Sequence, residues 1–288
     1  MIDRPLLRYH GGKFMLAPWI ISNFPDHDSY RTYLEPFGGA ASVLLCKERS
    51  YSEIYNDLDD EVVNLFNIVR DRGRELTDRL YLTPFAREEF RLSYKPSSDP
   101  MERARRMVVR AFMGFGSAAA SGQKTGYRSH SRKSGTSPAH DWMNYPDALK
   151  DIVERLRGVS IEHKDALYLF KIHDDEDTLV FLDPPYTKSQ RNKGQKTKAY
   201  KHEMEDIDHE QLCYQILDLK AKVCLCGYDN PIYNDLLKGW NKTSKETFAD
   251  GAAPRTEILW MNYDKSPKNP GLMDILHTYE GINSNNKH

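Results

Sequence analysis

The run Thr178-Leu179-Val180-Phe181-Leu182 is followed at once by Asp183-Pro184-Pro185-Tyr186. The apolar run reads as a buried strand. Neither proline can continue it, because each lacks a backbone N–H. The chain therefore leaves the sheet at a stiff turn, with a carboxylate on its first residue and an aromatic ring on its last. The carbonyl of Pro184 is left to accept hydrogen bonds. Two acceptors beside a ring suit a flat heterocycle that carries an amino group, such as adenine or cytosine. Asp-Pro-Pro is also an ordinary way to open a loop, so the motif gains its meaning from its surroundings.

Those surroundings alternate between strands and helices. Residues 15–24 read as a helix after the turn Arg8-Tyr9-His10-Gly11-Gly12-Lys13. Tyr33-Leu34-Glu35-Pro36-Phe37 reads as a short strand, and Gly38-Gly39-Ala40-Ala41-Ser42 leads into a helix at Val43. Glu53-Ile54-Tyr55 is a second strand that ends in Asn56-Asp57, with a helical pattern from Val62 to Val69. The alternation resumes with strands at 159–163, 178–182, 222–226 and 257–263, and with a helix at 209–219. This is the pattern of an α/β sheet with crossover helices. Between residues 71 and 157 it stops. Helical stretches at 85–93 and 101–112 are followed by a long polar segment, 114–142. A structureless loop of that length suggests a binding segment. The expected organisation is a discontinuous domain, 1–70 with 158–264, an insert at 71–157, and a polar tail at 265–288.

The 288 residues carry a net charge of −1, and 39% are hydrophobic. No apolar run approaches the roughly 20 residues that span a membrane. Residues 1–5 contain no apolar export signal. Cys46, Cys213, Cys224 and Cys226 form no C-x-x-C pair. They are expected to be reduced core residues in a cytosol, with no metal bound. The basic charge is local. Lys188, Arg191, Lys193, Lys196, Lys198 and Lys201 fall in residues 187–202 without an acid among them. Lys124, Arg128, Arg132 and Lys133 do the same in residues 121–140, and the helix at 101–112 has Arg103, Arg105, Arg106 and Arg110 on its polar side. Such segments suggest a focused phosphate-binding surface, although charge runs in polar loops are often only solvated.

Glycines where the first strand meets the first helix allow a ligand to approach the backbone. The spacing is not G-x-G-x-x-G, and Gly11-Gly12-Lys13 is not a P-loop. An acid at Asp57, about 20 residues past the glycine turn, could accept both hydroxyls of a ribose, or it could cap the next helix. Asp165 could reach an adenine ring or be a plain turn carboxylate.

Tyr9-His10-Gly11-Gly12-Lys13, Glu35-Pro36-Phe37-Gly38-Gly39, Asn56-Asp57, Asp165, Asp183-Pro184-Pro185-Tyr186 and Asp208-His209-Glu210-Gln211-Leu212 occur in this order. The ordered set resembles the Dam-type DNA adenine methyltransferases, over most of residues 6–263. The resemblance implies a Rossmann-like S-adenosylmethionine-dependent methyltransferase sheet with an inserted, mainly helical target-recognition domain. It implies that Tyr9, Gly11, Gly12, Lys13, Glu35, Pro36, Phe37, Gly38, Gly39, Asp57, Asp165 and Asp183 bind S-adenosylmethionine. Lys13 would favour the carboxylate of its methionine part and Asp57 its ribose. Asp183, Pro184, Pro185 and Tyr186 would be catalytic, with Tyr186 stacked on the target adenine.

Duplex DNA is the expected partner, contacted by Arg110, Lys124, Arg128, Arg132, Lys133, Lys188, Arg191 and Lys193. No obligate protein partner, a monomer, and a cytoplasmic location in a bacterium or in the host of a bacterial virus complete the expectation. Two departures stand out. Ala40 follows Gly38-Gly39 where many members have a third glycine, and Gly114-Phe115-Gly116-Ser117 with Gly126-Tyr127-Arg128 lacks the recognition segment of close Dam relatives. The alternatives are an RNA adenine methyltransferase, transfer to the amine of cytosine, a small-molecule nucleotide-binding enzyme and a catalytically silent DNA-binding module.

Overall fold

The computed structural model describes residues 2–9, 11–116, 120, 122–129, 137–186, 201–248 and 254–264. In chain order the elements are α1 (Ala17–Ser22), β1 (Thr32–Glu35), α2 (Ser42–Cys46), β2 (Ser52–Asn56), α3 (Asp60–Tyr81), α4 (Arg87–Leu92), α5 (Pro100–Met113), α6 (Pro138–Met143) and α7 (Tyr145–Leu156). There follow β3 (Val159–Glu162), α8 (Ala166–His173), β4 (Thr178–Leu182), α9 (Asp206–Leu217), β5 (Lys222–Gly227), α10 (Pro231–Leu236), β6 (Asn241–Phe248) and β7 (Pro254–Met261).

The seven strands form one sheet in the order β3-β2-β1-β4-β5-β7-β6. The first five are parallel, and β7 runs antiparallel to both of its neighbours. Successive side chains on a strand point to opposite faces. Leu179 and Phe181 of β4 enter one core together with Tyr33, Cys224 and Cys226, under α1, α2, α3, α5 and α7. Val180 and Leu182 enter a second core together with Leu34, Val223 and Leu225, under α8, α9 and α10. Both faces are covered, so the central strands are apolar without alternation. This is the Rossmann-like α/β architecture expected from the sequence. The chain moves outward from β1 through β2 to β3, then returns to place β4 on the other side of β1. Ligands of open α/β sheets bind outside the carboxyl ends of the strands at such a switch. Here those ends are Glu35 and Asp183.

Edge strand β6 reads Asn-Lys-Thr-Ser-Lys-Glu-Thr-Phe and is mostly exposed. It has no apolar alternation to betray it. Its lysines are what keep a sheet edge from pairing with other chains.

Between residues 71 and 157 the described elements are the end of α3 and helices α4 to α7, but the boundary expected between residues 70 and 71 falls inside α3. That helix bends at Arg72 (φ −133°, ψ 29°) and continues to Tyr81. At the next residue, Gly73, a Cβ would stand 2.4 Å from a methyl group of Val153, so glycine is what lets α7 lie close against α3. Met101, Met107, Trp142, Tyr145 and Leu149 share one core with Leu6, Leu44 and Leu65. The helical layer is thus packed onto the sheet.

One buried ion cluster joins the two. Glu53 of β2 is 2.7 Å from Lys47 at the end of α2, and its two oxygens lie 2.6 and 2.9 Å from the guanidinium of Arg155 on α7. Arg155 also donates to the carbonyl of Leu44 at 2.6 Å. Burial opposes the charge of Glu53, but Arg155 and Lys47 overcome it and hold its pKa below the usual carboxylate range. A depressed carboxylate stabilises the fold above its unfolded pKa, and this contribution is lost as pH falls through the folded value. Removing one member of such a cluster leaves buried charges uncompensated, at a cost of about 3–5 kcal/mol. Glu53→Ala is therefore expected to lose that much stability in urea unfolding near neutral pH, and to lose less as the pH is lowered toward 4.

Candidate active site

The first turn is built around Tyr55. Its ring stacks on Phe66 with centroids 4.0 Å apart, and its hydroxyl donates to the carbonyl of Gly39 at 2.7 Å. A Cβ on Gly38 would stand 2.1 Å from that ring. Gly39 takes φ +48°, which glycine adopts without strain. Asn56 is fully buried and ties three strand ends together. Its amide donates to the carbonyls of Pro36 and Lys164 at 2.8 and 2.9 Å and accepts from the N–H of Lys164 at 2.8 Å.

Asp57 next to it accepts from the backbone N–H groups of Gly39 (2.8 Å) and Asp59 (2.7 Å). Burial raises its pKa, and these two bonds work against the rise. The cap of α3 is Asp59, which accepts from the N–H of Glu61 at 3.0 Å. Asp57 is therefore not consumed as the helix cap. Asp165 does cap a helix, accepting from the N–H of Leu167 at 2.9 Å at the start of α8.

The second turn follows β4. The carboxylate of Asp183 lies 2.9 Å from Lys13, whose side chain is 4% exposed. Lys13 also donates to the carbonyl of Gly11 at 3.1 Å and to the hydroxyl of Tyr186. An ammonium has three hydrogens, and all three have acceptors. A contact from Lys13 to the carboxylate of a ligand would require one of these bonds to break. Burial pushes the pKa of Asp183 up to about 6, with Lys13 pulling it down and Glu257 pushing it further up. For Lys13, burial disfavours the charge, but Asp183, Tyr186 and Glu257 outweigh it and raise its pKa. Pro184 is buried. Tyr186 is 7% exposed and stacks on Tyr228, with centroids 4.2 Å apart at 27°.

A cavity of about 630 Å³ opens between the two turns. All twelve positions expected to bind the small ligand line it: Tyr9, Gly11, Gly12, Lys13, Glu35, Pro36, Phe37, Gly38, Gly39, Asp57, Asp165 and Asp183. Pro185 also lines it, whereas Pro184 and Tyr186 do not. Residues 201–205 with Asp208, Gln211 and Leu212 form a further wall. Lys201 begins that wall and is 3.0 Å from Asp59. The sequence reading did not assign 201–205 to the site, since a polar segment between elements carries no periodicity. The order of Asp208-His209-Glu210-Gln211-Leu212 after the Pro-Pro turn was the available signal.

Three of the residues expected to contact DNA, Arg110, Lys124 and Arg128, are described. Arg110 donates to the carbonyl of Ser93 and lies against the ring of Tyr94. Burial lowers its pKa. It is half-buried against the helical layer. The basic face expected on α5 is neutralised: Arg103 pairs with Asp60 and Glu61, Arg105 with Glu89 and Glu102, and Arg106 with Glu102. Arg128 is 3.6 Å from Asp141, which it shares with Arg4. Lys124 is exposed. Arg132, Lys133, Lys188, Arg191 and Lys193 lie outside the described residues. Among the described residues there is no group of three or more His, Cys, Asp or Glu able to hold a metal, and no helix long and apolar enough to cross a membrane.

Glu35 gives the site a pH signature. It accepts from the hydroxyl of Tyr33 at 2.7 Å and from the N–H of Leu44 at 3.0 Å. Burial pushes its pKa up from 4.5 to about 8. The folded state thus keeps a proton that the unfolded state has released, and stability falls as pH rises through that window, by about 1.4 kcal/mol per pH unit. Glu35→Gln cannot release the proton. Its unfolding midpoint should fall less than that of the wild type between pH 5 and 8; parallel curves would show that Glu35 is ionised in the fold.

Residues 9–249 match the sequence pattern of the D12 class N6 adenine-specific DNA methyltransferases. A protein of Haemophilus influenzae named DNA adenine methylase is 26% identical over 197 residues, which are 65% of this chain and 65% of that relative. The chain thus covers just under two thirds of the relative's length.

Proposed function

Because the chain belongs to the D12 class N6 adenine-specific DNA methyltransferase family, we propose that it moves a methyl group from S-adenosylmethionine to the exocyclic amine of adenine in duplex DNA. The observation that carries this reading is the placement of Asp183, at the carboxyl end of β4 and on the wall of the cavity that the glycine turns enclose.

The lining fits that cofactor. Eight acids, among them Glu35, Asp57, Asp165 and Asp183, line about 630 Å³ beside Lys13, Lys201 and His202, and both lysines are already paired with acids. Such a lining favours a ligand that is cationic and rich in hydrogen-bond donors. When bound, S-adenosylmethionine supplies the methyl group on a positively charged sulfur. Asp57, held by two backbone N–H groups, would accept the ribose hydroxyls. Asp165 would accept from the adenine amine, and Gly38 and Gly39 would let the ligand lie against the backbone.

An adenine inside a duplex cannot reach Asp183. It must leave the stack, at a cost of a few kcal/mol. Asp183 and the carbonyl of Pro184 would accept the two hydrogens of its amine and so aim the nitrogen lone pair at the methyl group. Transfer is then direct, and positioning supplies much of the rate. Stacking on Tyr186 would return roughly 1–3 kcal/mol. With Tyr186 only 7% exposed and covered by Tyr228, that contact requires Tyr228 to move as the base arrives. Lys124, Arg132, Lys133, Lys188, Arg191 and Lys193 are assigned to the phosphates. We assign the protein to the cytoplasm and take it to act as a monomer.

The test is transfer of labelled methyl from S-adenosylmethionine to unmethylated duplex DNA, followed by nucleoside analysis. Label is expected in N6-methyladenine. Asp183→Ala should lower kcat about a hundredfold or more, the scale on which losing one preorganised polar contact to the reacting group acts, with DNA affinity retained. DNA binding should weaken steeply with salt, as phosphate contacts require. Near-normal turnover of Asp183→Ala, or label in another base, would rule the mechanism out.

A further inference from the structure

Glu257 is a buried acid that the methyl transfer leaves without a role. It lies on β7, where the residues that follow, Ile258, Leu259, Trp260 and Met261, are apolar and buried, and it is itself 4% exposed. A buried carboxylate without partners is costly. Its partners all lead to the catalytic turn. Both of its oxygens are 3.3 Å from the hydroxyl of Tyr186, which donates to them. The thiol of Cys226 on β5 donates to Oε2 at 3.6 Å. The same Tyr186 hydroxyl accepts from Lys13, and Lys13 is paired with Asp183 at 2.9 Å. A hydroxyl has one hydrogen and donates in one direction. With the hydrogen on Glu257 and a lone pair toward Lys13, the tyrosine has one orientation.

We propose that Glu257 is a positioning residue for the catalytic turn: it anchors the hydroxyl of Tyr186 and shares the charge of Lys13 with Asp183, so that Asp183 remains the stronger acceptor for the amine of the target base. The proposal rests on the reading of Asp183 given above. A lone Lys13–Asp183 pair would draw charge out of the carboxylate that has to accept the amine. A second carboxylate, joined to the ammonium through the hydroxyl of Tyr186, offsets that pull. The sign agrees with the local electrostatics, in which Lys13 lowers and Glu257 raises the pKa of Asp183. The other titratable groups that face Asp183 are Glu35 from β1, Cys226 from β5, Tyr186 from its own turn and Tyr233 from α10. Glu257 also faces Tyr228, whose hydroxyl accepts from Arg255 at 2.9 Å.

Glu257→Gln keeps the shape and removes the charge. For wild type, E257Q and E257D, kcat and KM are to be measured between about pH 5 and 9, where the acid limb of kcat reports groups of the bound enzyme. The titration of Asp183 is to be followed separately by carbon NMR, without DNA or cofactor. E257Q should lower kcat about tenfold, with both KM values within about twofold. It should also move the acid limb and the Asp183 midpoint toward lower pH by ~0.5 unit or more, because a neighbouring negative charge has gone. E257D should keep the wild-type limb. A purely structural role would lower the unfolding midpoint and leave the limb in place. That result, or an Asp183 midpoint unmoved by E257Q, overturns the proposal. Absence of methyl transfer by the wild type would defeat the functional reading instead, and the NMR midpoint would still decide whether Glu257 acts on Asp183. Should E257Q not fold, the wild type carries the test. The Glu257 carboxyl signal is then expected to show an inflection at the Asp183 midpoint, and its absence overturns the coupling.

Discussion

A buried ammonium must have its three hydrogens accepted, and Lys13 finds its acceptors at the carbonyl of Gly11, the carboxylate of Asp183 and the hydroxyl of Tyr186. The first belongs to the turn before α1, and the other two to the turn after β4. These segments are about 170 residues apart in sequence. One charged group therefore fixes the two turns against each other. Such a pair is a poor source of net stability, since desolvating both charges takes back most of their attraction. What it supplies here is geometry. Asp183 is held at one place on the cavity wall, and Tyr186 is held by the same ammonium.

The same economy of fixed points recurs at Asn56. A short amide at the end of β2 is bonded to the ends of β1 and β3, so three loops that could each wander are joined through one side chain. Asp57 follows it and receives two backbone N–H groups. The parallel sheet brings these strand ends to one edge. The side-chain bonds then set the loops that carry Gly38, Asp57 and Asp165 around a single cavity.

Much of this was legible in the sequence because it depends on period and punctuation. The unbroken apolar run of β4, the glycines after β1 and the prolines after Leu182 each have one local meaning. The cavity-lining residues on these turns came with them. What was not legible depends on partners. Arg103, Arg105, Arg106 and Arg110 look like a basic face until Asp60, Glu61, Glu89, Glu102 and the carbonyl of Ser93 are seen beside them. Asp57 reads in sequence as a possible helix cap, and only the N–H of Glu61 donating to Asp59 shows that the cap lies two residues later. The edge strand β6 has no apolar period because neither of its sides is buried, and the wall at 201–205 has none because it lines a polar cavity. Helix α7 was missed in the stretch where the strand and helix alternation stops, although its apolar face is spent on α3 and Gly73.

Acids outnumber cations around the cavity. Glu35, Asp57 and Asp183 all have raised pKa values, and burial is the leading cause in each case. Lys13 offsets part of this at Asp183, but Glu257 stands beyond it and draws on the same ammonium. A wall whose carboxyl groups are each reluctant to ionise becomes easier to ionise when a cation enters. Binding of a positively charged ligand should therefore be linked to proton release from this wall, because the pKa values that burial has raised fall as the charge arrives. The cost of assembling the acids in a protein interior is then recovered selectively by a cationic ligand. A neutral or anionic ligand of the same size would leave that cost in place. By this argument the electrostatics of the wall, beyond the shape of its glycine turns, discriminate a cationic ligand from a neutral one of the same shape.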